Sequence, residues 1–206
     1  MAGRRSISSA TLDRLPIYLR AAEQMQRDGH INVASRALAE RVGISASNLR
    51  KDFSRAGITG KSGSGYLLGS LVAALRRTLR SDRSWPLAIA GAGSLGRALA
   101  RNQDLRRRGF HVRAIYDVDA GKLGMRINGV TVAHIDNAKC DVAQHGIRLA
   151  ALTVPVEAAD SAAQALTKAG ICALLNYVPV TLSVPQHIYV EDIDPVIMLQ
   201  RLSYYL

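Results

Sequence analysis

Pro86-Leu87-Ala88-Ile89-Ala90-Gly91-Ala92-Gly93-Ser94-Leu95-Gly96 is the stretch that decides the fold. The apolar run 86–90 reads as a strand, the glycines as a turn, and 94–102 as a helix. Strand, glycine-rich turn and helix in that order open a dinucleotide-binding unit. Gly91 permits the tight turn, Gly93 lets the backbone approach a pyrophosphate, and Gly96 allows close helix–strand packing. Free N–H groups at the helix N-terminus then favour the anion. The motif alone is common. What sharpens it is Asp117, 21 residues after Gly96 and at the end of the next predicted strand. A carboxylate there binds both ribose hydroxyls and repels a 2′-phosphate, so the reading is NAD(H) rather than NADP(H).

Towards the C-terminus, apolar runs at 112–116, 130–133, 149–153 and 172–175 read as further strands, with a helix over 157–169. The alternation implies a Rossmann-type α/β fold, a parallel sheet covered on both faces. The chain closes with a strongly apolar helix over 195–206, entered through Asp194 as N-cap and Pro195 at its first position.

Towards the N-terminus the pattern is helical. Segment 11–28 carries Leu15, Tyr18, Leu19, Ala22 and Met25 on one face. A short helix over 34–42, the turn Gly43-Ile44-Ser45 and a third helix over 46–55 form a helix-turn-helix, with Ser45 as N-cap and Leu49 and Phe53 inward. Asn48, Arg50, Lys51 and Arg55 lie on or near the exposed side, where arginines can reach guanine or phosphate in a major groove. The polar stretch 57–65 suits a hairpin wing bearing Lys61; 66–80 is again helical and 81–84 reads as a linker. Charge follows the same division. Of the formal +11, residues 1–84 hold 15 Lys+Arg against 6 Asp+Glu, and residues 85–206 hold 12 against 10. The expected organisation is a winged-helix DNA-binding domain at 1–84, a nucleotide-binding domain at 85–193 and a terminal helix at 194–206.

Several classes are disfavoured. The five histidines are scattered without metal-ligand spacing, so neither a metal site nor a catalytic residue is expected. After a DNA-binding unit and a dinucleotide fold, no length remains for a substrate domain. No apolar run reaches the ~20 residues of a membrane helix, and the basic N-terminus lacks a secretory pattern. Cys140 and Cys172 read as reduced, mostly buried thiols of a cytoplasmic protein. Two alternatives stay open: a small NAD-dependent oxidoreductase with a basic extension, and an architectural DNA-binding protein with a vestigial nucleotide site.

The residues resemble one family along almost the whole chain. Arg14-Leu15-Pro16-Ile17-Tyr18-Leu19-Arg20, Leu49-Arg50-Lys51-Asp52-Phe53-Ser54 and Gly60-Lys61 through Gly65-Tyr66 carry the N-terminal part. The glycine motif, Tyr116-Asp117-Val118-Asp119 with Lys122 and Gly124, Leu152-Thr153-Val154-Pro155, Leu175-Asn176-Tyr177-Val178-Pro179 and 199–206 carry the rest. In order and spacing the chain resembles the redox-sensing transcriptional repressor family Rex. The resemblance implies a homodimer with domain-swapped C-terminal helices, a palindromic operator in double-stranded DNA, and NADH and NAD⁺ as effectors, NADH releasing DNA. It implies cofactor contacts from Gly91, Ala92, Gly93, Ser94, Leu95, Gly96, Asp117, Val118, Lys122, Thr153, Val154, Pro155, Asn176 and Tyr177. DNA contacts are implied for Ser47, Arg50, Lys51, Arg55 and Lys61, and an intersubunit charge pair, acting as a switch, for Arg20 and Asp194. The chain departs from the family pattern at Ser62, where a second basic residue usually stands in the wing. Asn102 stands in place of a Tyr near the cofactor, and Pro195 in place of an apolar side chain.

Overall fold

In the computed structural model, which describes residues 7–61 and 64–206, the chain divides into two compact units that part between Arg83 and Ser84. The first is a helical unit with a small ribbon. Helix α1 (Ser9–Arg27) buries Leu15, Tyr18, Leu19, Ala22 and Met25, the face that the periodicity picks out. Helices α2 (Ser35–Val42) and α3 (Ala46–Arg55) are joined through Gly43, and the Ser45 hydroxyl accepts the Asn48 N–H at 3.2 Å as the expected N-cap. Helix α4 (Leu68–Leu79) begins later than the sequence suggests. Tyr66–Leu67 is instead a strand, β2, paired antiparallel with β1 (Asn32–Val33). Ahead of it Lys61 and Gly65 exchange backbone hydrogen bonds of 2.8 and 3.0 Å, the pairing expected of a hairpin. Ser62 lies outside the described residues.

The core of this unit is apolar on every helix, and an aromatic run ties helix to wing. Phe53 of α3 meets Tyr18 of α1 edge-on at 5.5 Å and Tyr66 of β2 at 5.1 Å. Such pairs contribute roughly 0.5–1.5 kcal/mol each beyond burial.

The second unit is a seven-stranded sheet with helices. Its strands are β3 (Trp85–Ala90), β4 (Phe110–Asp117), β5 (Arg126–Ile127), β6 (Val130–His134), β7 (Leu149–Leu152), β8 (Ala173–Asn176) and β9 (Tyr189–Asp192), in the order β5-β6-β4-β3-β7-β8-β9. All neighbours run parallel except the edge pair β5–β6. Strand order therefore reverses between β3 and β7, and in open α/β sheets the crevice beyond the strand ends at that point holds ligands. Helices α5 (Ser94–Arg101), α6 (Gln103–Arg107), α7 (Ala138–His145) and α8 (Ala159–Ala169) connect the strands. Buried alanines (Ala88, Ala90, Ala150, Ala159, Ala163) let helix and strand backbones approach closely.

Three expectations need correction. The helix over 94–102 stops at Arg101, because the Asn102 side chain turns to accept the Asp104 and Leu105 N–H groups and starts α6. Cys140 is exposed and Cys172 partly so; both are free. The closing helix, α9, spans Pro195–Ser203 rather than reaching residue 206, and it buries no residue.

Candidate nucleotide site and nucleic-acid interface

The glycine motif lies at the switch point. Gly91 (φ +100°) follows β3, and its N–H donates to the Tyr116 carbonyl of β4 at 2.8 Å. A Cβ on Gly91 would sit 2.5 Å from the Thr153 carbonyl, and one on Gly96 would fall onto the Gly91 carbonyl itself. These two positions exclude any side chain. Around Gly93, by contrast, a Cβ would meet nothing within 4 Å, which leaves an open approach to the start of α5. Ser94 and Leu95 are exposed there, whereas Ala92 is buried beneath them. The cradle thus has the form that a pyrophosphate at a helix N-terminus requires.

Asp117 closes one side of it. One carboxylate oxygen accepts the Ala92 N–H at 2.8 Å and the Lys122 ammonium at 3.1 Å; the other accepts the Val118 and Asp119 N–H groups at 2.9 and 3.0 Å. Burial pushes its carboxyl up, but the Asp119 and Ala92 N–H groups and Lys122 outweigh burial and hold it below the usual carboxylate range. The carboxylate is therefore anionic and fixed beside the glycine turn. Lys122 also reaches Asp119 at 3.4 Å, and Val118 is exposed.

Two expected contact residues have their polar groups engaged within the protein. The Thr153 hydroxyl donates towards the carbonyls of Ala90 and Gly91 at 2.9 and 3.0 Å, bracing the glycine turn from β7. Asn176 is 1% exposed, and its amide is shared among Val180, Asp192 and the Val178 N–H. The Thr153 side chain thus braces the glycine turn, and the Asn176 side chain ties β8 to β9. Val154 is half-buried, Pro155 exposed and Tyr177 half-buried against the core under α5. Asn102 lies at the far end of α5 from the glycine turn, a separation of about 12 Å for eight helical residues.

In the first unit, Ser47, Arg50, Lys51 and Arg55 are exposed on α3 and line one shallow cleft of about 380 Å³. Arg50 and Lys61, eleven residues apart, share a second cleft of about 420 Å³ between α3 and the hairpin. Arg50 also donates to the Ser35 hydroxyl at 3.2 Å. Arg55 is partly tied back, 3.4 Å from the Thr11 hydroxyl and 3.9 Å from Asp52.

Asp52 is the residue that the sequence reading passed over. It is 1% exposed and accepts from Arg14, Tyr18 and Thr11, pinning α3 to α1. Its signal was available: Asp52 shares the inward stripe with Leu49 and Phe53, where a charge needs a partner. Arg20 is exposed on α1, while the Asp194 carboxylate caps α9 by accepting the Val196 and Ile197 N–H groups at 2.8 and 3.4 Å. Among the described residues no cluster of metal-ligating side chains occurs, and no helix is long and apolar enough to cross a membrane.

Comparison with known proteins agrees with this layout. Residues 6–54 match a family model described as "Putative DNA-binding protein N-terminus", and residues 82–180 match "CoA binding domain". The redox-sensing transcriptional repressor Rex of Roseiflexus sp. (strain RS-1) is 37% identical over 94% of this chain and 88% of its own length. The chain belongs to the Rex family. The Rex repressor of Streptomyces griseus is also 37% identical, over 98% of this chain and 79% of its own. Among solved structures, the Rex-family repressor RSP in complex with β-NAD⁺ and operator DNA superposes with a TM-score of 0.92 at 31% identity, covering 97% of this chain and 92% of that one. RSP with β-NADH gives 0.87 at 30%, covering 97% and 93%. Rex relatives are named as transcriptional repressors, and the protein is a repressor rather than an enzyme.

Proposed function

We infer that this Rex-family repressor binds an operator through α3 and the hairpin, and reports the NADH/NAD⁺ ratio through the crevice at Gly91 and Asp117. The observation that carries the nucleotide half is the Asp117 carboxylate held 2.8 Å from the Ala92 N–H, at the edge of an open glycine cradle. An anion so placed accepts ribose hydroxyls and repels a phosphate on that ribose. NADP(H), with its 2′-phosphate, and CoA, with its 3′-phosphate, are disfavoured. The nicotinamide ring supplies the signal, being cationic in NAD⁺ and neutral in NADH.

Gly91, Gly93, Gly96 and the α5 N-terminus receive the pyrophosphate; Ala92, Ser94, Leu95, Val118, Val154, Pro155 and Tyr177 border it. Lys122 orients Asp117, and Thr153 and Asn176 hold the floor. Ser47, Arg50, Lys51, Arg55 and Lys61 meet DNA. The apolar face of α9 is covered by a second copy of the chain, giving the two-fold dimer that a palindromic operator needs. In that dimer Arg20 of one copy pairs with Asp194 of the other. Three regions of the chain follow, 1–84, 85–193 and 194–206, and the protein works in the cytoplasm, on DNA. Linkage requires that NADH and DNA weaken one another equally; a hundredfold effect needs about 2.7 kcal/mol of differential binding.

Fluorescence anisotropy with a palindromic operator tests this reading, titrating NADH and NAD⁺ separately at fixed salt. Release by NADH at concentrations where NAD⁺ does little is the expected result. Equal response to both nucleotides, or to neither, refutes the sensor.

A further inference from the structure

The hairpin has a cleft on each side. One, shared with Arg50, takes its wall from α3. The other, about 390 Å³, takes its wall from α4 and is lined by Thr59, Lys61, Ser70 and Arg77 among others. Lys61 borders both. Cationic side chains thus continue from Arg55 and Lys51 through Arg50 and Lys61 to Arg77.

Arg76 and Arg77 are neighbours with different employment. Arg76 donates from Nε and Nη2 to Glu23 at 3.2 and 2.8 Å, joining α4 to α1. Arg77 is exposed, and its guanidinium has no ion-pair or hydrogen-bond partner among the described residues. A cation in the last helical turn complements the dipole, but that holds for both arginines and leaves the cleft unexplained. Two cations and two hydroxyls around an open cleft form a receptor for a phosphodiester.

We propose that the α4-side cleft is a further backbone-phosphate site of the DNA interface, with Arg77 as its cation and the Thr59 and Ser70 hydroxyls as donors. The proposal rests on the operator reading above. It makes the hairpin a divider between two phosphate tracks, the second outside the recognition helix altogether.

The test measures operator affinity of full-length Arg77→Gln, Arg76→Gln and Arg50→Gln proteins across a series of KCl concentrations. Arg77→Gln should flatten the slope of log K against log[salt] by about 0.9 per phosphate lost. It should weaken operator and random-sequence DNA alike, because a phosphate carries no sequence, and leave the Tm unchanged. Arg76→Gln should keep the slope and lower the Tm. A wild-type slope for Arg77→Gln alongside a damaged Arg50→Gln overturns the α4-side site alone. If Arg50→Gln is also silent, the operator reading falls, and this proposal with it.

Discussion

Asp52 of α3 and Arg14 of α1 meet through two parallel hydrogen bonds, Nε to Oδ2 at 2.7 Å and Nη2 to Oδ1 at 2.8 Å. A bidentate pair fixes angle as well as distance. Because Arg50 and Lys51 project from the turn that Asp52 anchors, this pair sets how α3 presents them. Asp52→Asn removes the charge and leaves the Arg14, Tyr18 and Thr11 donors poorly matched. Urea unfolding should show about 3 kcal/mol less stability, the low end for a broken buried pair, since Arg14 is one-third exposed. Operator affinity should fall with it. An unaltered midpoint would show that packing alone orients α3.

The same cluster predicts a pH window. Burial raises the Asp52 carboxyl, but the Arg14, Tyr18 and Thr11 hydrogen bonds outweigh it, leaving a pKa of about 2 against an ordinary 3.8. A depressed carboxyl contributes stability that is complete above the unfolded value and lost as pH falls towards the folded one. Tyr18 runs the other way: burial and the bond to Asp52 push it up to about 12 from 10.0, so its contribution is lost as pH rises through that range. Thermal melts should show a plateau between about pH 4 and pH 10, bounded by these two groups, with the acid limb flattened in Asp52→Asn.

Gly93 and Gly96 should separate binding from folding. Gly96→Ala drives a methyl into the Gly91 carbonyl, and the turn must shift at a cost of about 1–3 kcal/mol. Gly93→Val adds its bulk where the fold leaves space, so the Tm should hold while NADH affinity drops at least tenfold, read by intrinsic nucleotide fluorescence. Loss of Tm in Gly93→Val would mean that its space is needed by the protein rather than by a ligand.

Asp117→Ser removes the fixed anion beside the turn. NADH affinity should fall by roughly tenfold, about 1.4 kcal/mol. The preference for NADH over NADPH should narrow at the same time. Isothermal titration of both nucleotides checks this, and an unchanged preference would assign the discrimination elsewhere.

Asp194→Asn tests the proposed switch without unmaking the helix start. Asn caps as well as Asp, so α9 should persist by circular dichroism. If the charge opposite Arg20 helps to distinguish the two nicotinamide forms, the ratio of NADH to NAD⁺ concentrations needed for half-release should move towards one. An unmoved ratio removes the pair from the mechanism.

What the sequence disclosed depended on repetition. Helix α1 was legible because five buried apolar side chains recur at helical spacing, β3 because it is a continuous apolar run beside glycine, and β4 because Ala114, Ile115 and Tyr116 form its buried end. Strands β1 and β2 have two residues each, too few for any period, and they emerge only when the hairpin folds back on 32–33. Helix α7 escaped because only Ala138 and Val142 anchor it, and β9 because its Glu191 and Asp192 read as loop. At the site, Gly91, Gly96 and Asp117 declared themselves by spacing. The inward commitment of Asn176 and Thr153 could not be read, since a polar residue after a strand has the same letter whether it faces a ligand or the backbone.

That commitment has a consequence for what the protein measures. Thr153 and Asn176 are satisfied by the protein's own groups and Asp117 is held in place by its neighbours, so on the proposed reading the adenosine and pyrophosphate halves, identical in NADH and NAD⁺, would enter one pre-shaped seat. The two forms therefore compete for it. Once the pooled nucleotide saturates that seat, its absolute amount cancels from the occupancy equation, and the NADH-bound fraction depends on the quotient alone. The promoter would then follow the redox balance of the cell and ignore growth-dependent changes in the size of the pool.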